Sequence, residues 1–241
     1  MKEERSEAMR MRRGKVKQGL FAFPNGWGGW RKGSGRKPKG RKKGVSHRTR
    51  PLLESRLPVH VTLKLIGGLP SLRREQTRAR LLLAFAASNE KGLVRIVEYS
   101  IQGNHVHFLI EAKDRDALAR GVQGLSIRIA RSLNKGWGRT GGVFVDRYHA
   151  RILESPQEVR NALVYVLQNA RHHGVRSKSI DPFSSGGDFD GWFDDLAENE
   201  AERRRQDSSA TKRIPALPPE TWLLGNGWRR HGLIGIEEEP R

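Results

Sequence analysis

A strict two-residue alternation runs through "HVHFLIEA", residues 105–112, and constrains the fold more than any other feature. In a strand, successive side chains point to opposite faces. Val106, Phe108, Ile110 and Ala112 therefore share one face, and His105, His107, Leu109 and Glu111 share the other. The apolar set must pack on helices, which places both histidines on the opposite face. A chain with only eight histidines sets two of them side by side there.

The flanking segments supply the rest of a sheet. "PVHVTLKLI" (58–66) alternates and is rich in β-branched residues, and "LVRIVEYSI" (93–101) leads through the turn "QGN" into the histidine strand as a hairpin. Between these two strands, Leu72, Ala79, Leu83 and Ala86 recur at helical spacing, with Ser71 as N-cap and Gly92 as stop. Leu118, Val122, Leu125, Ile129 and Leu133 mark a second helix over 114–134, and "VFVDRYHARIL" (143–153) a fourth strand. A third helix opens with Ser155 as N-cap, Pro156 at its first position and Glu158 completing a capping box, and runs to His173 before Gly174. The order β-α-β-β-α-β-α predicts an α+β protein: a ferredoxin-like βαββαβ antiparallel sheet with two helices on one face, plus a C-terminal helix. The other face of the sheet is expected to stay open.

Charge points to a polyanionic partner. The net charge is +20, and residues 1–50 hold 17 Lys/Arg against three Glu, leaving only +6 on the other 191 residues. This Gly-rich basic stretch has no apolar period and is expected to form a disordered arm over residues 1–56. Its densest run, Arg36, Lys37, Lys39, Arg41, Lys42 and Lys43, is suited to lie along DNA phosphates, the alternative being a merely solubilising tail. Residues 57–175 form the ordered domain, and 176–241 a C-terminal appendage. There are no cysteines, which excludes disulfides and thiolate metal sites. The longest apolar run, "LLLAFAA", has seven residues against the roughly 20 of a membrane helix, and the N-terminus lacks the apolar core of a signal peptide. A cytoplasmic, nucleoid-associated protein that does not engage membranes is expected.

Two imidazoles on one strand face are natural partial ligands for a divalent cation, and a third ligand must come from elsewhere. The third helix brings a further group. Its apolar stripe is Val159, Leu163, Val166, Leu167 and Ala170, and Tyr165 falls off it, on the side of Asn161, Gln168, Asn169 and His172. Asn169, one turn on, would present its amide beside the phenol. A histidine pair that binds metal, a tyrosine and a basic chain together suggest attack by the tyrosine oxygen on a DNA phosphate, leaving a phosphotyrosine link.

The segments "GNHVHFLI", "DRYHARIL" and "YVLQNARHHG" together resemble the REP-associated tyrosine transposases, members of the HUH single-strand transposases that use one tyrosine. The resemblance spans roughly residues 58–175. It implies that His105 and His107 bind Mg²⁺ or Mn²⁺, that Tyr165 becomes linked to the 5′ phosphate of cut DNA, and that Asn169, or else Gln168, completes the metal shell. It further implies single-stranded or hairpin DNA as partner and a monomer or homodimer. Two positions depart from the family pattern: Ala170 stands where a proline is common, and Gly103-Asn104 where Pro-Asn is frequent. Tyr148 and His149 match the family and are read as packing or DNA-contact residues, Tyr99 as core, and Glu111 as a sheet-edge salt bridge. Rival readings are a replication-initiator or relaxase-type HUH nickase and a non-catalytic single-strand nucleic-acid-binding module. The histidines and Glu111 on the central strand, where such modules carry stacking aromatics, disfavour the second.

Overall fold

The computed structural model describes residues 50–172, 180–193 and 215–239. The chain divides into two units, Met1–Lys43 and Gly44–Arg241. The arm cations Arg36, Lys37, Lys39, Arg41, Lys42 and Lys43 lie outside the described residues.

Four antiparallel strands, β1 (Val59–Lys64), β2 (Arg95–Ile101), β3 (His105–Glu111) and β4 (His149–Ile152), form one sheet in the order β2-β3-β1-β4. This is the ferredoxin-like order expected from the alternation of periods. Two long helices, α1 (Glu75–Asn89) and α2 (Arg115–Gly136), connect the strands. On α1, Phe85 meets Phe108 and Tyr99 edge-on, at ring-centroid distances of 5.0 and 5.2 Å, so α1 covers the apolar face of β3 and Tyr99 is core as expected. Each such buried aromatic stabilises the fold by roughly 1.5–3 kcal/mol. At Gly121 on α2 a Cβ would come within 2.3 Å of Val94 Cγ1, so only glycine lets the helix lie this close.

Three local expectations change. Helix α1 starts at Glu75 behind Arg74, not at a Ser71 cap, because Ser71 Oγ accepts from the backbone N–H of Arg73 instead. The fourth strand is broken: Val143 and Val145 hydrogen-bond to Ile66 and Lys64, but regular pairing resumes only at His149. The third helix, α3, spans Pro156–Leu167 and stops at Gln168, and a separate turn, α4 (Asn169–His172), follows. Ser155 caps α3 as predicted, accepting from Glu158 N–H. The carboxylate of Glu158 reaches back one residue further than a capping box requires, to Glu154 N–H at 2.9 Å.

The largest correction concerns the second face of the sheet. Tyr165 on α3 packs edge-on against His107, with ring centroids 5.1 Å apart, so α3 covers the face expected to be open. A hydrophobic strand buried on both sides reads as a continuous apolar run, but the polar residues on this face disguise the burial.

The C-terminal residues complete the cover. They line the outer edge of β2: Ile101 N–H donates to Phe183 O and Leu217 N–H to Ile96 O, each at 2.8 Å. Arg73 holds Asp181 by two 2.8 Å hydrogen bonds. Trp228 is 1% exposed and stacks on Phe189. An uncovered edge strand invites pairing with other chains, and here the chain's own tail occupies it. Glu111, at the end of the interior strand β3, is buried rather than at the sheet edge: its carboxylate accepts from Glu220 N–H, Thr221 N–H and Thr221 Oγ1, with Arg95 at 3.9 Å. No helix among the described residues is long and apolar enough to cross a membrane.

Glu98 joins the tail to β2 by accepting from Ser185 Oγ, and burial pushes its carboxyl up from 4.5 to about 8. Between those values the folded chain binds more protons than the unfolded one. The contribution of Glu98 is therefore complete below about 4.5 and disappears as pH rises through about 8. Glu98→Gln keeps an acceptor for Ser185 and removes the titration, so melting temperature should fall less between pH 5 and pH 8.5 than in the wild type. Thermal melts at both values check this; an identical fall in the two proteins would contradict it.

Candidate active site

Antiparallel register decides which side chains meet. Thr62 on β1 lies directly across from His107 on β3, and Lys64 across from His105. The odd-numbered β1 residues Val59, Val61 and Leu63 enter the core, so His60 and Thr62 share the face of the two histidines. His107 is buried, while His60, His105 and Tyr165 are half-buried. The four rings form a chain: His105 to His107 at 4.7 Å, His107 to His60 at 5.1 Å, and Tyr165 against both His107 and His60, at 5.1 and 5.7 Å.

The ring nitrogens are set by their neighbours. Asn104 Oδ1 can only accept, so at 2.8 Å His105 donates to it from Nδ1. His107 Nδ1 lies 3.0 Å from Thr62 Oγ1 and 3.1 Å from His60 Nε2. Burial, and secondarily the positive charge of Arg151, pushes His60 down to about 4, so its ring is neutral at neutral pH. His60 and Thr62 carry no part in the sequence prediction. The alternation of "PVHVTLKLI" marks only a strand, and the β1–β3 register is what brings its polar face to His107.

Tyr165 faces a cavity of about 300 Å³, which His60, Arg151, Glu158 and Asn161 also line. Arg151 extends from β4 with its side chain 70% exposed and pairs with Glu158 at 2.7 Å.

Asn169 is fully buried, and both of its amide atoms lack a hydrogen-bond partner among the described residues. An orphaned buried polar group costs about 1–3 kcal/mol. The amide is where a group that accepts or binds an oxygen would be expected. Gln168, the alternative ligand, is already used: it donates to Gly235 O and Ile236 O, at 3.0 and 2.6 Å, and accepts from Arg171 Nε. The described residues contain no set of three or more His, Asp or Glu side chains arranged to hold a metal. The imidazoles of His105 and His107 and the amide oxygen of Asn169 are of the donor types a divalent cation takes. Tyr148 is buried with its ring under the Arg50 guanidinium, 3.8 Å from the centroid, and burial pushes its phenol up. His149 is exposed on β4.

Residues 67–169 match the model of the IS200-like transposase family. Over that segment the chain is similar to the IS200-like transposases. The matched segment contains His105, His107, Tyr165 and Asn169 and leaves His60 and Thr62 outside it. No curated protein matches the chain. Among solved structures, the chain is similar to one described as a REP-associated tyrosine transposase bound to a REP hairpin, at 16% identity and a TM-score of 0.48, over 58% of this chain and 82% of that one.

Asn169 yields a prediction that separates a ligand from a structural residue. Asn169→Ala removes two orphaned polar atoms, so melting temperature should rise or stay unchanged. Mn²⁺ binding to the full chain, measured from the electron paramagnetic resonance signal of free Mn²⁺, should weaken at least about tenfold. A lower melting temperature with unchanged Mn²⁺ binding would mark the asparagine as structural.

Proposed function

We propose that this chain is a DNA-cutting and strand-transferring enzyme, transposase-like, that acts on single-stranded or hairpin DNA through a 5′-phosphotyrosine at Tyr165. The observation that carries the reading is the packing of the Tyr165 phenol against His107, 5.1 Å between ring centroids, within the segment that matches the IS200-like transposases. The choice of single-stranded DNA rests on the resemblance to single-strand transposases. With both faces of the sheet covered, a module that binds bases on an open sheet fits this chain less well.

In the proposed step Tyr165 Oη attacks the scissile phosphorus. The O–P bond forms, the bond from phosphorus to the 3′ oxygen breaks, the phenol proton passes to solvent and the departing 3′ oxygen takes one up. Phosphodiester energy is kept in the phosphotyrosine, so a 3′ hydroxyl can reverse the step and join a new strand. A cation such as Mg²⁺ or Mn²⁺, held by His105, His107 and Asn169, would supply charge neutralisation at the phosphate. Arg151 and the cavity beside Tyr165 would receive the strand that flanks the cut. The basic N-terminal residues would add phosphate contacts without sequence preference.

The test uses the full chain, single-stranded hairpin DNA and Mn²⁺. A covalent protein–DNA adduct should form and map to Tyr165 by mass spectrometry. EDTA should abolish it, and His105→Ala should lose cleavage while keeping most DNA affinity. Tyr165→Phe removes a single hydroxyl from a half-buried residue and keeps its ring packing, so folding should stay within about 1 kcal/mol of wild type while the adduct vanishes. An adduct on Tyr148 or Tyr99, or cleavage by Tyr165→Phe, would overturn the assignment.

A further inference from the structure

His60 lies outside the matched segment, and the proposed chemistry does not use it directly, yet it touches the most buried member of the site. Its Nε2 stands 3.1 Å from His107 Nδ1, and Thr62 Oγ1 approaches the same nitrogen at 3.0 Å. Both come from β1, whose pairing with β3 runs unbroken from Val59 to Lys64, so neither can drift from His107 without breaking the sheet. Two groups thus converge on the same ring nitrogen of His107.

We propose that His60, together with Thr62, is a positioning residue that sets the tautomer of His107. The two accept the Nδ1 proton of His107 and leave its Nε2 with the lone pair. The neighbouring histidine supports this. His105 is held through Nδ1 by an oxygen acceptor, Asn104 Oδ1, and likewise presents Nε2. Both imidazoles then offer the same nitrogen to one cation. A ligand histidine whose other nitrogen donates to a fixed acceptor is locked in orientation and made more basic. His60 Nε2 stands where such an acceptor is required, on a strand whose pairing fixes it. Accepting at Nε2 places its own proton on Nδ1, away from His107. Were His60 to donate from Nε2 instead, His107 would have to accept at Nδ1 and carry its proton on Nε2, where no cation could bind. The inference rests on the reading of His105, His107 and Asn169 as metal-holding residues.

The first test reads the tautomer without metal or DNA. In the full chain labelled with ¹⁵N at histidine, long-range ¹H–¹⁵N correlations at neutral pH should show His60 and His107 both protonated on Nδ1. His107→Asn and His60→Gln assign the signals. A His107 ring protonated on Nε2 would overturn the proposal. The second test measures Mn²⁺ binding from the signal of free Mn²⁺. His60→Ala should weaken it about 10- to 100-fold. His60→Gln, whose amide oxygen can accept, should recover most of the loss. Thr62→Val keeps the shape of the side chain and should also weaken binding, which covers the case in which His60→Ala fails to fold. Unchanged Mn²⁺ binding in His60→Ala or, if that variant does not fold, in Thr62→Val would overturn the role, as would equal weakening by His60→Ala and His60→Gln. The two readings fail separately. A correct tautomer and Mn²⁺ pattern without any DNA adduct would overturn the transposase reading and leave the role of His60 intact.

Discussion

Strand β3 is covered on both faces, with Phe85 of α1 against Phe108 on one side and Tyr165 of α3 against His107 on the other. The rest of the site depends on that double burial. A strand packed on one face only would leave His105 and His107 in water, with nothing to hold their rings in one orientation. Under α3, His107 is 4% exposed and its ring is flanked by groups from β1 whose positions the sheet pairing holds. Low local dielectric strengthens each polar contact there and raises the cost of a missing one. The same helix that supplies this cover also delivers the tyrosine, so burial and chemistry cannot be separated by a small rearrangement.

The end of α3 is equally constrained. At Gln168 the helix breaks, and the Gln168 amide is tied to Gly235 O and Ile236 O of the C-terminal segment. Arg160, two turns earlier, holds Glu238 through two hydrogen bonds of 2.6 and 2.9 Å and also donates to Gly232 O and Leu233 O. The C-terminal segment therefore holds α3 at its second turn and at its C-terminal end. Asn169 begins the next turn rather than continuing α3, and lies fully buried instead of on an exposed helix side.

Local signals in the sequence were sufficient for most of the sheet. The alternation in "HVHFLIEA" and "PVHVTLKLI" and the cap formed by Ser155, Pro156 and Glu158 identify elements by interactions within a few residues, and these elements form as expected. The rings of His105 and His107, and of His107 and Tyr165, are in contact, which the periods of the separate elements did not specify. What stayed hidden is set by long-range pairing. The cover over the histidine face depends on how α3 folds back. The tail along β2 is held by backbone hydrogen bonds and by Glu98 with Ser185, which leave no period in the sequence. His60 and Thr62 lie in a segment legible as a strand, but the partner across the sheet is a matter of register. The break at Gln168 overrode a helical pattern that continued to His173, because the tail satisfies a side chain that a longer helix would have left to solvent.

The proposed cation site would span β3 and the turn after α3. Anomalous diffraction near the manganese edge, from crystals of the full chain soaked in Mn²⁺, tests it most directly. The account predicts a single strong peak bonded to His105 Nε2, His107 Nε2 and Asn169 Oδ1, with the Tyr165 phenol beside it. A peak held by other residues, or one that reaches His107 through Nδ1, would contradict it.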